Sequence, residues 1–108
     1  MPTTFLVADV AGCIVGRASI RHELNDRLSI EGGHIGYAVL PEHRRRGYAT
    51  EILRQSLVVA RALGVERVLV TCDDNNAGSA AVIERCGGVF DSMTMAGDGE
   101  AVRRYWID

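Results

Sequence analysis

Cysteine is scarce. Cys13, Cys72 and Cys86 are odd in number, scattered, and form no CxxC pair. That argues against a disulfide framework or a structural zinc site and fits a reducing interior. An excess of positive charge is missing too: 12 Lys and Arg stand against 14 Asp and Glu, a net charge of -2. No overall basic field therefore draws the chain to nucleic acid or to a membrane surface. No apolar run is long enough to span a bilayer. The first residues lack the basic-then-apolar texture of a signal segment. Low-complexity tracts, long linkers and internal repeats are absent. What remains is 108 residues, 47% hydrophobic and 24% charged, the balance of one soluble globular domain spanning 1–108. The expected compartment is the cytoplasm.

The stretch Val39-Leu40-Pro41-Glu42-His43-Arg44-Arg45-Arg46-Gly47-Tyr48-Ala49-Thr50 organises the chain. An apolar strand, Ile35 to Leu40, ends at Pro41, which cannot donate to a sheet ladder. A basic turn follows, then Gly47, then a helix reaching Leu63. The first turn of a helix carries amides with no internal partner, and these together with the helix dipole suit a phosphate. Gly47 leaves no side chain between the main chain and a ligand. Arg44, Arg45 and Arg46 add guanidinium forks that match phosphate oxygens. Arg44 to Thr50 thus reads as a pyrophosphate cradle.

The remaining elements fall in order. Phe5–Val10 and Cys13–Ile20 read as a hairpin across Ala11-Gly12. Arg21 to Ser29 is a polar loop or short helical excursion, and Gly32-Gly33 opens the strand His34–Leu40. Ala49, Ile52, Leu53, Ser56, Leu57, Ala60 and Leu63 recur at helical spacing, and Gly64 suits a left-handed cap. Val65–Cys72 is the next strand. Asn76 or Ser79 caps a helix running to about Cys86. Val89–Met95 and Val102–Ile107 close the chain as a hairpin across Gly97-Asp98-Gly99. The fold class is α/β, a mixed and mostly antiparallel sheet with one parallel β-α-β crossover. Such sheets place ligands at the C-terminal ends of the parallel strands, here after Leu40 and near Thr71-Cys72.

Arg44-Arg45-Arg46-Gly47-Tyr48-Ala49 resembles the R/Q-x-x-G-x-G/A signature of the GNAT superfamily of N-acetyltransferases. Asn76-Ala77-Gly78-Ser79 followed by Glu84-Arg85-Cys86-Gly87-Gly88 is similar to that family's second block, N-x-x-S and E-K-x-G-F. The resemblance covers about Phe5 to Ile107, and its local texture is similar to an uncharacterised branch of acetyltransferases. It implies acetyl-CoA as cosubstrate, with its pyrophosphate on the amides of the cradle. It implies Asn76 and Ser79 on the pantetheine arm. It also implies a backbone amide at about Val39–Leu40, Leu40 above all, that polarises the thioester carbonyl. Three features depart from the family pattern. The chain starts at the hairpin, without the strand and two helices usual before it, as a shortened relative or a piece of a longer protein would. Ile83 stands where many relatives carry a Tyr general acid. Gly88 stands where an aromatic is usual.

Direct acetyl transfer to an amine needs a group that takes the amine's proton. His34 is the sharpest candidate, because a neutral imidazole titrates near pH 7 and relatives place a Glu base near this point. Its structural alternative is a His that satisfies a hydrogen bond beside Gly32-Gly33. Glu23 lies in the loop before the His34–Leu40 strand, where relatives supply acceptor-facing carboxylates, but a solvated loop surface is its better reading. A Cys72–His34 pair would imply an acyl-enzyme, but a strand Cys is usually a small apolar residue. No metal is expected at Asp73-Asp74, a solvated turn with no further ligand at the right spacing. The reading is an acetyl-CoA-dependent N-acetyltransferase acting on an amine acceptor, without nucleic acid or membrane partners. A homodimer is expected, because the first strand leaves a sheet edge to cover. The alternative is a non-catalytic acyl-CoA-binding or interaction module. A basic-loop nucleic-acid binder is a third option that the acidic balance opposes.

Overall fold

The structure is a computed structural model that describes residues 3–30, 32–44 and 46–108. Arg45 of the cradle lies outside the described residues. β1 (Thr3–Val10) and β2 (Cys13–Arg21) pair antiparallel across Ala11-Gly12. Both turn residues have positive φ, 52° and 82°, the backbone twist that a two-residue hairpin needs. The polar loop after β2 contains one helical turn, α1 (Asp26–Ile30). β3 (Ile35–Val39) pairs antiparallel with β2, from Ile20↔Ile35 to Gly16↔Val39.

Beyond Val39 a 3-10 turn, Pro41–His43, leads to α2 (Tyr48–Ala62). α2 buries Ile52, Leu53, Ser56, Leu57 and Ala60. This is the periodic stripe of the sequence with its ends trimmed: Ala49 is half-buried, and Leu63 is the C-cap, 42% exposed. Ser56 belongs in the core because its hydroxyl donates to Ile52 O at 2.7 Å, one turn back. β4 (Val68–Asp73), α3 (Ala77–Arg85), β5 (Val89–Met95) and β6 (Ala101–Ile107) follow. Asn76 is the N-cap of α3, its Oδ1 accepting from Ser79 N at 3.0 Å.

The strands form two antiparallel sheets of three, ordered β1-β2-β3 and β4-β6-β5. The β3–α2–β4 crossover expected from the sequence joins them, but β3 and β4 are not ladder partners. Among the described residues their contact is made at the start of each strand. There His34 N donates to Leu69 O at 2.8 Å, and Leu69 N donates to His34 Nδ1 at 2.9 Å. Past that point the strands part. α2 and α3 pack over the two sheets, around Ile20, Ile35, Leu53, Val70, Ile83 and Tyr105. Tyr105 is core, its hydroxyl donating to Glu84 Oε2 at 3.1 Å. No helix among the described residues is long and apolar enough to cross a membrane.

Candidate functional site

A cleft of about 580 Å³ lies between β3, the start of α2 and α3. Its walls are Tyr37, Ala38 and Val39 from β3, His43 to Thr50 in part, and Asn76, Gly78, Ser79, Ala81, Val82 and Arg85 from α3 and its cap. Of the residues singled out in the sequence, Val39, Arg44, Gly47, Tyr48, Ala49, Thr50, Asn76 and Ser79 line this one space. Arg46 is exposed beside it but does not line it, and neither does Leu40 or His34.

The end of α2 facing the cleft is open. Gly47 is its N-cap in left-handed conformation, φ 81°, and provides no side-chain cap. The amides of Tyr48, Ala49 and Thr50 have no intrahelical acceptor, while Glu51 N already reaches Gly47 O at 3.3 Å. A Cβ built on Gly47 meets no atom of the described residues within 4 Å. This is an anion seat at the start of a 15-residue helix. Arg44 lies back across the strand end, Nε to Val39 O at 3.2 Å, which brings its charge beside that seat.

The edge of β3 supplies a second set of donors. Arg21 N donates to His34 O and Leu40 N donates to Val15 O, at 2.7 and 2.8 Å. In an antiparallel pair hydrogen-bonded residues alternate along the strand. The even residues of β3 therefore bond to β2, and the backbones of Ile35, Tyr37 and Val39 face the other way, toward the cleft. This corrects the role expected of Leu40: its amide is spent on Val15 and cannot polarise a ligand. The available amides are those of Val39 and Tyr37.

Tyr37 is the residue the sequence reasoning passed over. Its side chain spans the cleft, and its hydroxyl lies 2.9 Å from Ser79 Oγ. Burial pushes the phenol pKa up, against a smaller lowering by the Ser79 hydrogen bond. The period-2 face it shares with Val39 was the available signal.

His34 sits elsewhere. It is 8% exposed, at the junction of the sheets, with Nδ1 accepting from Leu69 N. Burial lowers its pKa. A neutral ring whose Nδ1 lone pair is already engaged carries its proton on Nε2 and has no lone pair left to take another. The geometry therefore makes His34 a structural residue and not the base. Cys72 is buried and its thiol pKa is pushed up, chiefly by desolvation, the opposite of what a nucleophilic thiolate needs. Ile83 is fully buried, and its Cγ2 lies 2.5 Å from where a Cβ on Gly88 would be. The two departures at Ile83 and Gly88 are thus one packing solution: the isoleucine occupies the space that a side chain at Gly88 would need.

A family model described as an acetyltransferase (GNAT) domain matches residues 2–89. The chain belongs to the GNAT acetyltransferases. Solved structures agree on the GNAT fold. A point mutant of the spermidine N-acetyltransferase SpeG from Vibrio cholerae superposes with a TM-score of 0.78 at 18% identity, covering 97% of this chain and 64% of that one. A Salmonella typhimurium protein described as an acetyltransferase, solved with its cofactor acetyl-CoA, gives 0.75 at 19%, covering 96% and 63%. A ribosomal-protein-alanine N-acetyltransferase from Brucella melitensis gives 0.77 at 20%, covering 94% and 66%. The chain spans less than two-thirds of the length of each. No curated protein sequence matches the chain.

Proposed function

We propose that this GNAT chain binds acetyl-CoA in the cleft and transfers the acetyl group directly to an amine. The observation that carries this reading is the open N-terminus of α2, continuous with the unpaired edge of β3. Acetyl-CoA supplies an activated acyl carbon and a thiolate leaving group. The amides of Tyr48, Ala49 and Thr50 face its diphosphate, and Arg44 and Arg46 add charge beside them. An arm extending from that point along β3 meets Val39 N–H first and Tyr37 N–H next, two residues and roughly 7 Å further in. The Tyr37 amide is then placed to donate to the carbonyl oxygen as negative charge develops there.

Tyr37 also answers the loss of a tyrosine at Ile83. As the acceptor nitrogen bonds to the acyl carbon and the carbon–sulfur bond breaks, the Tyr37 hydroxyl gives its proton to sulfur. The phenol is reprotonated from solvent by way of Ser79. The amine's own proton passes to water. A phenol whose pKa is pushed up by burial stays protonated at neutral pH and is ready for this role.

The alternative, an acyl-CoA-binding module without turnover, uses the same cradle. Two measurements separate the readings. Calorimetry with acetyl-CoA is expected to show saturable binding, and its absence would remove both. Thiol release on an amine panel is expected in the transferase; tight binding with no release leaves the module. Self-association through the open edge of β1 is part of this proposal and is taken up below.

A further inference from the structure

A second cavity, about 280 Å³, adjoins the first. Arg21, Gly36, Tyr37, Asp73, Asn76 and Ser79 are among its walls. Tyr37, Asn76 and Ser79 also line the large cleft, so these three residues stand between the two spaces, and the hydrogen-bonded Tyr37 and Ser79 hydroxyls face both. Resting on the acetyl-transfer reading, we infer that this cavity is the acceptor site and that its acceptor is a small amine carrying a carboxylate. The carboxylate binds Arg21, and the amine lies by Asp73 at the junction with the cleft.

The guanidinium of Arg21 is held in advance. Its Nη1 donates to Gly32 O at 3.1 Å and to Gly33 O at 3.2 Å. Gly32 is itself fixed to β4, its N donating to Thr71 Oγ1 at 2.9 Å. The fork lies close over Gly36, where a Cβ would stand 3.6 Å from Nη2 and 3.2 Å from Ser19 Oγ. Gly36 thus leaves room for the guanidinium itself, which packs on the strand backbone and forms part of the cavity wall. Two carbonyls engage only Nη1, and a guanidinium has five N–H donors in all. A planar fork fixed in this way suits the two oxygens of a carboxylate.

Charge at the other end has the opposite sign. Asp73 ends β4, next to the Asn76 cap. Its neighbour Asp74 is paired with Arg103, Nε to Oδ1 at 2.6 Å. Among the described residues the Asp73 carboxylate has no such partner. An ammonium group drawn to it lies beside Tyr37 and Ser79, where the acyl carbon must come. A polycation such as a polyamine would instead meet the Arg21 guanidinium at the far end, which opposes it. The cavity volume, just below the usual range for small-molecule sites, fits a free amino acid better than a protein segment.

The test is thiol release from acetyl-CoA with matched amines. Glycine, β-alanine and γ-aminobutyrate are compared with methylamine, ethylamine and propylamine, and with spermidine. A glycine dipeptide tests a peptide source of the same chemistry. The carboxylated member of at least one pair is expected to have a kcat/KM roughly tenfold or more above its partner. Arg21→Gln is expected to erase that preference by raising KM for the carboxylated amine, and Arg21→Lys to keep part of it. Because Arg21 also ties two carbonyls, acetyl-CoA titration checks that each variant folds. Equal or better use of spermidine or of the plain amines overturns the inference, as does a preference that survives Arg21→Gln. If acetyl-CoA binds but no amine releases thiol, the transferase reading fails by itself. The cavity is then judged by titrating γ-aminobutyrate into coenzyme A-loaded protein, or into free protein if the carrier does not bind. No heat there removes the site.

Discussion

His34 holds Leu69 through both its backbone and its ring, and the ring accepts there only while it is neutral. Burial keeps its pKa below the ordinary 6.5. The unfolded chain thus takes up a proton that the folded chain refuses, so this contribution to stability is present above about 6.5 and is lost as pH falls toward the depressed folded value. Thermal melts from about pH 7.5 to about 5 should show a falling Tm. His34→Asn keeps an acceptor near Nδ1 and removes the titration, and is expected to flatten that slope. An unchanged slope would assign the pH dependence to another group. At Tyr37 the sign is the reverse. A general acid works while protonated, so kcat should show no alkaline fall below the ordinary phenol value of 10.0, its own pKa being raised above that. Tyr37→Phe should lower kcat roughly 100-fold while acetyl-CoA affinity is kept. A drop confined to KM would count against proton donation.

Among the elements, α2 was the most legible in advance. Its apolar stripe and the Arg-rich turn with Gly47 are local patterns, and local patterns are what a sequence displays. Gly47→Ala and Gly47→Glu test its open end. Both force a side chain into left-handed backbone at a cost of about 1–2 kcal/mol. Only the glutamate sets a negative charge in the free space at the helix start, and it should weaken acetyl-CoA at least roughly tenfold beyond the alanine. Similar loss in both variants would mean that strain alone explains the effect. β3 was legible as a strand but not as a donor. Which of its amides face the cleft depends on pairing phase with β2, and Leu40 falls on the wrong phase because its amide meets Val15. Such phase is a long-range property that no local window carries. His34 misled for the same reason: its partner, Leu69, lies on the far side of α2.

At the scale of the molecule, the edge strands turned away from the junction of the two sheets are β1 and β5. Among the described residues β1 pairs only with β2, and its outer face carries Phe5 and Val7, 76% and 65% exposed. A long strand edge of this kind, with Asp9 its one charged residue, is a template for pairing. Light scattering should find two copies, and Val7→Lys should shift the population toward one. A wild-type monomer at high concentration would sink the pairing. The crossover itself was visible in the order of elements, while the division into two sheets was not, since nothing local in β3 or β4 announces that they part.

That division has a consequence for how the molecule handles what enters it. His34 and Leu69 act as a latch at one end of a wedge whose blades are the two sheets. What lodges in the smaller cavity touches both at once, through Tyr37 on β3 and Asp73 on β4, so the spacing that the latch gives the blades bears on its fit. Residues that meet no ligand can therefore decide how wide a guest the molecule admits.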